Sequence, residues 1–161
     1  MESCDMGYTR SLFGIVPHLT YQSAPQIATL MRRFGPEKIV VDIGAGGRRI
    51  APHVQTLDFA PGPDTDIVAD ACATPFKDHS VDLVIATGFL EHIEDDAKWM
   101  VEMHRIIRPG GSLYIEVPFL QYYHDDPIDS RLGTAPVLAR YLSQYGFEPA
   151  ASGAHIGPTV S

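Results

Sequence analysis

Cysteine, tryptophan and basic side chains are the scarce components of this 161-residue sequence. Its two cysteines, Cys4 and Cys72, form no CxxC pair and have no clustered histidines, which excludes a zinc-finger spacing and a disulfide-framework fold. Two reduced thiols in a cytosol are expected, with Cys72 packing as a small apolar group. Twelve Lys and Arg face twenty Asp and Glu, a net charge of -8 that repels phosphate backbones, so nucleic acid is not an expected partner. Long apolar runs are also missing. Leu12-Phe13-Gly14-Ile15-Val16 is too short for a membrane span or a signal core, and no basic region precedes it. A soluble, cytoplasmic protein without membrane contact is expected. With 45% apolar and 20% charged residues and no internal repeat, the composition is that of one globular domain covering residues 1–161.

The order of apolar patterns alternates helix and strand. Ser23 can cap a helix in which Ile27, Leu30, Met31 and Phe34 share a face before Gly35-Pro36 stops it. Lys38 to Ile43 is a β-branched run entering Gly44-Ala45-Gly46-Gly47, and Val54 to Leu57 and Ile67 to Ala69 are shorter strand candidates. Val81 to Thr87 is the strongest central strand. Asp95 to Arg108 has the period of a helix, with Trp99, Met100, Met103, Ile106 and Ile107 on one face, and Pro109-Gly110-Gly111 is expected to terminate it. Ser112 to Pro118 then reads as a strand. Thr134 to Tyr145 reads as a helix with Val137, Leu138, Tyr141, Leu142 and Tyr145 inward, and Phe147 to Ile156 as a last strand. The pattern predicts an α/β fold: a doubly wound, Rossmann-like, mostly parallel sheet with helices on both faces. Ligands of such sheets sit beyond the carboxyl ends of the strands, here at the loops after Ile43 and Thr87.

Three readings compete for Asp42-Ile43-Gly44-Ala45-Gly46. A dinucleotide fingerprint needs a further glycine where Arg49 stands, a Walker loop needs a following Lys-Ser or Lys-Thr that is absent, and a purely structural turn remains open. Acidic residues at later strand ends, Asp58 and Asp70, add acceptors for ribose hydroxyls or an adenine amine and would suit a cationic ligand. About fifteen positions separate Gly44 from Asp58, with Pro52 among them, so the first crossover helix is expected to be clipped or missing.

The chain resembles the class I S-adenosylmethionine-dependent methyltransferases, in particular the type 11 group. The resemblance is carried by Val40-Val41-Asp42-Ile43-Gly44-Ala45-Gly46, Asp70-Ala71 with Thr74-Pro75-Phe76, Val81 to Ala86, Phe89-Leu90-Glu91-His92 and Arg108 to Leu113. It implies S-adenosyl-L-methionine as cofactor, residues 37–118 as the cofactor-binding core, residues 1–36 as a flanking segment and helix, and residues 119–161 as the acceptor-side loop, helix and last strand. The implied cofactor residues are Asp42, Gly44, Ala45, Gly46, Asp58, Phe59, Asp70, Ala71, Thr87, Phe89 and Leu90. Within them the glycine loop meets the amino-acid part, Asp58 the ribose, and Asp70 with Ala71 the adenine. The family closes its sheet with two final strands where this chain offers one, so the sheet lacks its last strand and a homodimer through the exposed edge is expected.

Methyl transfer from a sulfonium needs positioning first and a base only for a protonated acceptor. Glu91 and His92 are the candidate acid-base residues, with packing beneath the cofactor as the alternative role for His92. Tyr122, Tyr123 and His124 follow the fifth strand and are the candidate contacts to a small-molecule acceptor. His124-Asp125-Asp126 reads as a solvated loop, and no metal is expected. Arg48 and Arg49 read as surface residues, with an anionic acceptor as the alternative. A non-catalytic cofactor-binding module acting through a protein partner is the rival function.

Overall fold

The computed structural model describes residues 24–117 and 135–150. Its elements in chain order are α1 (Ala24–Arg33), β1 (Val40–Ile43), β2 (Val54–Asp58), β3 (Ile67–Val68), β4 (Val81–Thr87), a 3-10 turn (Leu90–His92), α2 (Asp96–Ile106), β5 (Ile107–Glu116) and α3 (Ala135–Gln144). The strands form one sheet in the order β3-β2-β1-β4-β5, and every neighbouring pair is parallel. After β1 the chain steps outward to β2 and β3, then returns to place β4 on β1's other side. That reversal opens a crevice between the loops following β1 and β4, where both expected ligand loops lie.

Burial explains the order of the strands. All four residues of β1 and all seven of β4 are buried, as a strand covered on both faces requires. On one face, Val40, Val54, Leu83 and Ile85 meet Ile27, Leu30, Met31 and Phe34 from α1 and its end. On the other, Val41, Ile43, Val84 and Ala86 meet Trp99, Met100, Met103 and Ile106 from α2, with Leu138, Tyr141, Leu142 and Tyr145 of α3 packed outside them. Each fully buried apolar side chain contributes about 1.5 to 3 kcal/mol. Val137, expected inward, is 63% exposed, because the apolar stripe of α3 narrows to the residues i+1, i+4, i+5 and i+8 from it.

Helix α2 starts where Asp95 accepts from the Lys98 backbone N–H at 2.9 Å, a side-chain N-cap. Its end differs from expectation. The chain passes directly from helix into strand at Ile107, so Pro109-Gly110-Gly111 belongs to β5 rather than to a helix stop. Arg108 precedes a proline and is biased toward extended backbone, which ends the helix earlier. The pairing of β5 with β4 jumps from Val81–Ile107 to Leu83–Ser112, leaving residues 108–111 as a bulge opposite Asp82. Asp82 anchors it: Arg108 lies 2.6 Å from its Oδ1, while its Oδ2 accepts from the Ile39 N–H at 2.9 Å.

Helix α3 ends at Gly146, whose φ of 82° permits bonds from Gly146 N–H to the Ser143 carbonyl and from Phe147 N–H to the Leu142 carbonyl. Residues 147–150 form no strand, which corrects the described part of the expected strand from Phe147 to Ile156; its remainder lies outside the described residues. Cys72 is buried in the α2-side core, where it packs as the small apolar group expected. Cys4 lies outside the described residues.

A buried polar network secures the chain between β3 and β4. Glu102 Oε1 accepts from the Thr74 N–H and hydroxyl, both at 2.7 Å, and Glu102 is bound by Arg105, which also donates to the Phe76 carbonyl and to Asp78. Burial alone would raise the Glu102 carboxyl, but hydrogen bonds from Arg105 and Thr74 hold it below its ordinary value. We predict that Glu102→Ala lowers unfolding free energy by about 1 to 3 kcal/mol in urea titration, since Thr74 is left with buried donors lacking an acceptor. A loss under about 0.5 kcal/mol, the range of ordinary surface substitutions, would refute this role.

Candidate active site

The loop after β1 turns on three glycines in the left-handed region: Gly44 at φ 70°, Gly46 at 59° and Gly47 at 78°. They are required for two different reasons. A Cβ on Gly44 would stand 2.3 Å from Phe89 Cδ2, so the Phe89 ring occupies the space a side chain would take. At Gly46 and Gly47 no atom lies within 4 Å of the Cβ position, so backbone there faces open space that a ligand can approach.

Three carboxylates surround this loop. Asp58, at the end of β2, accepts from the Gly46 N–H at 2.9 Å through Oδ2 and from the Ala60 N–H at 3.3 Å through Oδ1, tying the loop to β2. Asp70 accepts from the Cys72 N–H at 2.8 Å, folding the chain after β3 into a tight turn beside buried Ala71. Asp42 is fully buried on β1, and its two oxygens accept from Arg48 Nη2 at 3.1 and 3.0 Å. The same Nη2 donates to Thr87 Oγ1 at 2.7 Å, linking the ends of β1 and β4 across the switch point. Burial pushes the Asp42 carboxyl up to about 6 against the pull of the Arg48 cation.

On the β4 side, Phe89 and Leu90 are buried, and the Phe89 ring centroid lies 5.7 Å from that of Trp99. Glu91 is buried and His92 half-buried in the 3-10 turn that follows, with the His92 N–H on the Phe89 carbonyl at 3.0 Å. Phe59 is 41% exposed beyond Asp58. The structure therefore brings Asp42, Gly44, Ala45, Gly46, Asp58, Thr87, Phe89 and Leu90 to the carboxyl ends of β1, β2 and β4, with Asp70 and Ala71 in the loop after β3. Tyr122, Tyr123 and His124, with Asp125 and Asp126, lie outside the described residues. Among the described residues no group of three or more His, Cys, Asp or Glu is placed to hold a metal ion.

The first crossover, residues 44–53, contains no helix, as the short spacing implied. Two arginines hold it: Arg48 is half-buried, which corrects its reading as a surface residue, whereas Arg49 is exposed, as that reading has it. Arg48 reaches back to Asp42. Arg49 donates to the Val54 carbonyl, the Asp64 carbonyl and both oxygens of Asp66, while Asp66 Oδ2 also accepts from the Thr56 N–H. Hydrogen bonds from Arg49 and Thr56 hold the Asp66 carboxyl well below its ordinary range. A signal existed in the sequence: paired basic residues directly after the glycines and the acidic pair Asp64 and Asp66 one loop later.

The methyltransferase-domain family matches residues 25–115, and the chain belongs to that family. It is 37% identical over 119 residues to the ubiquinone/menaquinone biosynthesis C-methyltransferase of Hahella chejuensis, covering 72% of this chain and 43% of that protein. It superposes on a chain of the Haloferax volcanii complex containing the Trm112 methyltransferase activator, with TM-score 0.71, 17% identity and coverage of 90% and 77%. It also superposes on the Haemonchus contortus phosphoethanolamine N-methyltransferase 2 bound to S-adenosylhomocysteine, with TM-score 0.55, 22% identity and coverage of 76% and 37%. The fold is the class I methyltransferase fold. The chain spans about two fifths of the length of the relatives it matches.

The Asp42 carboxyl binds its proton more tightly in the folded state than an ordinary aspartate does, so folded stability falls as pH rises from about 4 to 6 and the full cost persists above. We predict that the parent loses about 2 to 3 kcal/mol relative to Asp42→Asn across that window, measured by urea unfolding at successive pH values. A difference independent of pH would return the Asp42 carboxyl to the ordinary range.

Proposed function

We propose that this chain binds S-adenosyl-L-methionine and transfers its methyl group to a small-molecule acceptor. The observation that carries the reading is the open backbone of Gly46 and Gly47 at the carboxyl end of β1, held from β2 by the Asp58 carboxylate on the Gly46 N–H: bare backbone with an acid beside it suits a cationic nucleoside. The cofactor supplies a methyl group on a sulfonium with its leaving group built in. The chain's own part is to position. Gly44 to Gly46 let the backbone approach the amino-acid end, Asp58 accepts from ribose hydroxyls, and Asp70 with the Ala71 backbone faces the adenine. Phe59, Thr87, Phe89 and Leu90 complete the walls. His92, with Glu91 beside it, takes a proton at an imidazole nitrogen when the acceptor carries one, and Tyr122, Tyr123 and His124 are proposed to hold that acceptor. The net charge of -8 supports an uncharged or cationic acceptor over nucleic acid.

A second reading, a cofactor-binding module working through a protein partner, draws support from the helix-free first crossover and from the likeness to the Trm112-containing complex. Cofactor binding without methylation of any acceptor would favour it.

In calorimetry we expect micromolar binding of S-adenosylmethionine and S-adenosylhomocysteine and none of NAD. Gly46→Val should weaken that binding at least about tenfold while costing only about 1 to 2 kcal/mol of stability for its left-handed backbone. Unchanged affinity in this variant would show that the glycine loop is not the binding loop. Gly44→Val is the poorer test, because its side chain meets Phe89 and disturbs the core.

We also propose a homodimer through a sheet edge. Of the two described edges, β3 is two residues long, whereas β5 has ten and is the edge able to template a partner strand. Light scattering during size exclusion should report twice the 17.7 kDa chain mass, and a monomer mass would remove the dimer.

A further inference from the structure

The clipped crossover leaves Arg48 with a donor that the loop does not use. Its Nη2 serves both oxygens of Asp42 and the Thr87 hydroxyl, whereas its Nε is buried without an acceptor among the described residues. Native proteins leave few buried N–H groups unpaired, because the lost solvation is not recovered. The side chain as a whole is 25% exposed, so Arg48 borders the surface of the loop although its Nε is covered. Two residues before it and immediately before it, Gly46 and Gly47 present bare backbone to open space. Arg49, the other cation of the loop, is consumed by Asp64, Asp66 and the Val54 carbonyl.

Asp42 on β1 and Thr87 on β4 thus hold a planar cation in a fixed orientation at the switch point of the sheet, with a donor to spare. A guanidinium fixed in this way suits a carboxylate, which can accept from the fork at two points, and a flexible ammonium would not reproduce that geometry. We infer that Arg48 is a specificity-determining residue of the cofactor site: it binds the carboxylate of the cofactor's amino-acid end, an inference that rests on the methyltransferase reading above. The Asp42–Arg48 pair is close to neutral as a unit. The carboxylate therefore meets the outer edge of a paired guanidinium, and the cofactor's ammonium and sulfonium are not opposed by a lone positive charge.

The test compares S-adenosylhomocysteine, its decarboxylated analogue and 5′-methylthioadenosine, which lacks the amino-acid end, by calorimetry. Because Arg48→Met alone strands the buried Asp42 carboxylate, it is made in an Asp42→Asn background, with the parent and Asp42→Asn as references. The parent is expected to bind S-adenosylhomocysteine about tenfold to a hundredfold more tightly than the decarboxylated analogue, and Asp42→Asn, which keeps one of the two acceptor oxygens for Arg48, to retain a reduced but measurable preference. Adding Arg48→Met should abolish that preference and leave 5′-methylthioadenosine binding unchanged. A carboxylate preference that survives the loss of Arg48, or an equal loss for all three ligands, overturns the assignment. Failure of the parent to bind any of the three overturns the methyltransferase reading itself and the inference with it.

Discussion

A carboxylate with no exposed surface needs a counter-charge, and the arrangement of this molecule's crevice follows from how Asp42 obtains one. The cation comes from six residues further along the same loop. For Arg48 to reach back, the chain must reverse tightly over Gly44, Gly46 and Gly47, and Asp58 must hold the Gly46 amide on the far side. Thr87 accepts from the same guanidinium nitrogen, so one side chain bridges the carboxyl ends of two strands that backbone pairing already holds side by side. Even so, desolvation outweighs the attraction, and the carboxyl sits well above its ordinary range. The molecule carries this unfavourable group at the switch point of the sheet, where ligands of such sheets bind and where costly features concentrate in proteins.

The arginine pair also answers a packing problem. A crossover between parallel strands ordinarily runs through a helix whose apolar stripe covers the sheet. Here ten residues join β1 to β2 without one, and Ile50 and Ala51 alone extend the apolar cover that α1 supplies. Arg49 compensates by pinning the loop to Asp64 and Asp66, the second of which in turn accepts from the Thr56 N–H of β2. Directional bonds thus replace apolar area on this side, whereas α2 covers the opposite face with Trp99, Met100, Met103 and Ile106 in the usual way.

What the sequence disclosed and what it hid divide along the same line. Val81 to Thr87 was legible because a strand buried on both faces is an unbroken apolar run, and α2 because Trp99, Met103 and Ile106 recur at helical spacing. Asp42, Gly44, Gly46 and Asp58 were legible as a loop with its acids because each is tied to a strand end. The partner of Asp42 was not, since an arginine beside another arginine looks like surface until its distant acceptor is known. Glu102 was hidden for the same reason: Thr74, whose amide and hydroxyl it satisfies, lies 28 residues away. The bulge at residues 108–111 was misread as a helix stop because Pro-Gly-Gly serves either purpose, and only the register against β4 decides between them.

Of the four connections after β1, only the one from β4 to β5 contains a helix among the described residues, and this divides the sheet dynamically. The segment from β4 through α2 to β5 is covered by large apolar side chains and has the higher free energy of local opening. Residues 44–80, with a two-residue β3 and solvent-facing ion pairs, form the part that opens first, and amide hydrogen exchange is fastest in such segments. The glycine loop, Asp58 and Asp70 all belong to that labile part. A ligand seated on them suppresses its opening by mass action. Under the function proposed above, the cofactor would serve as a structural member of the half-sheet that lacks a helix of its own.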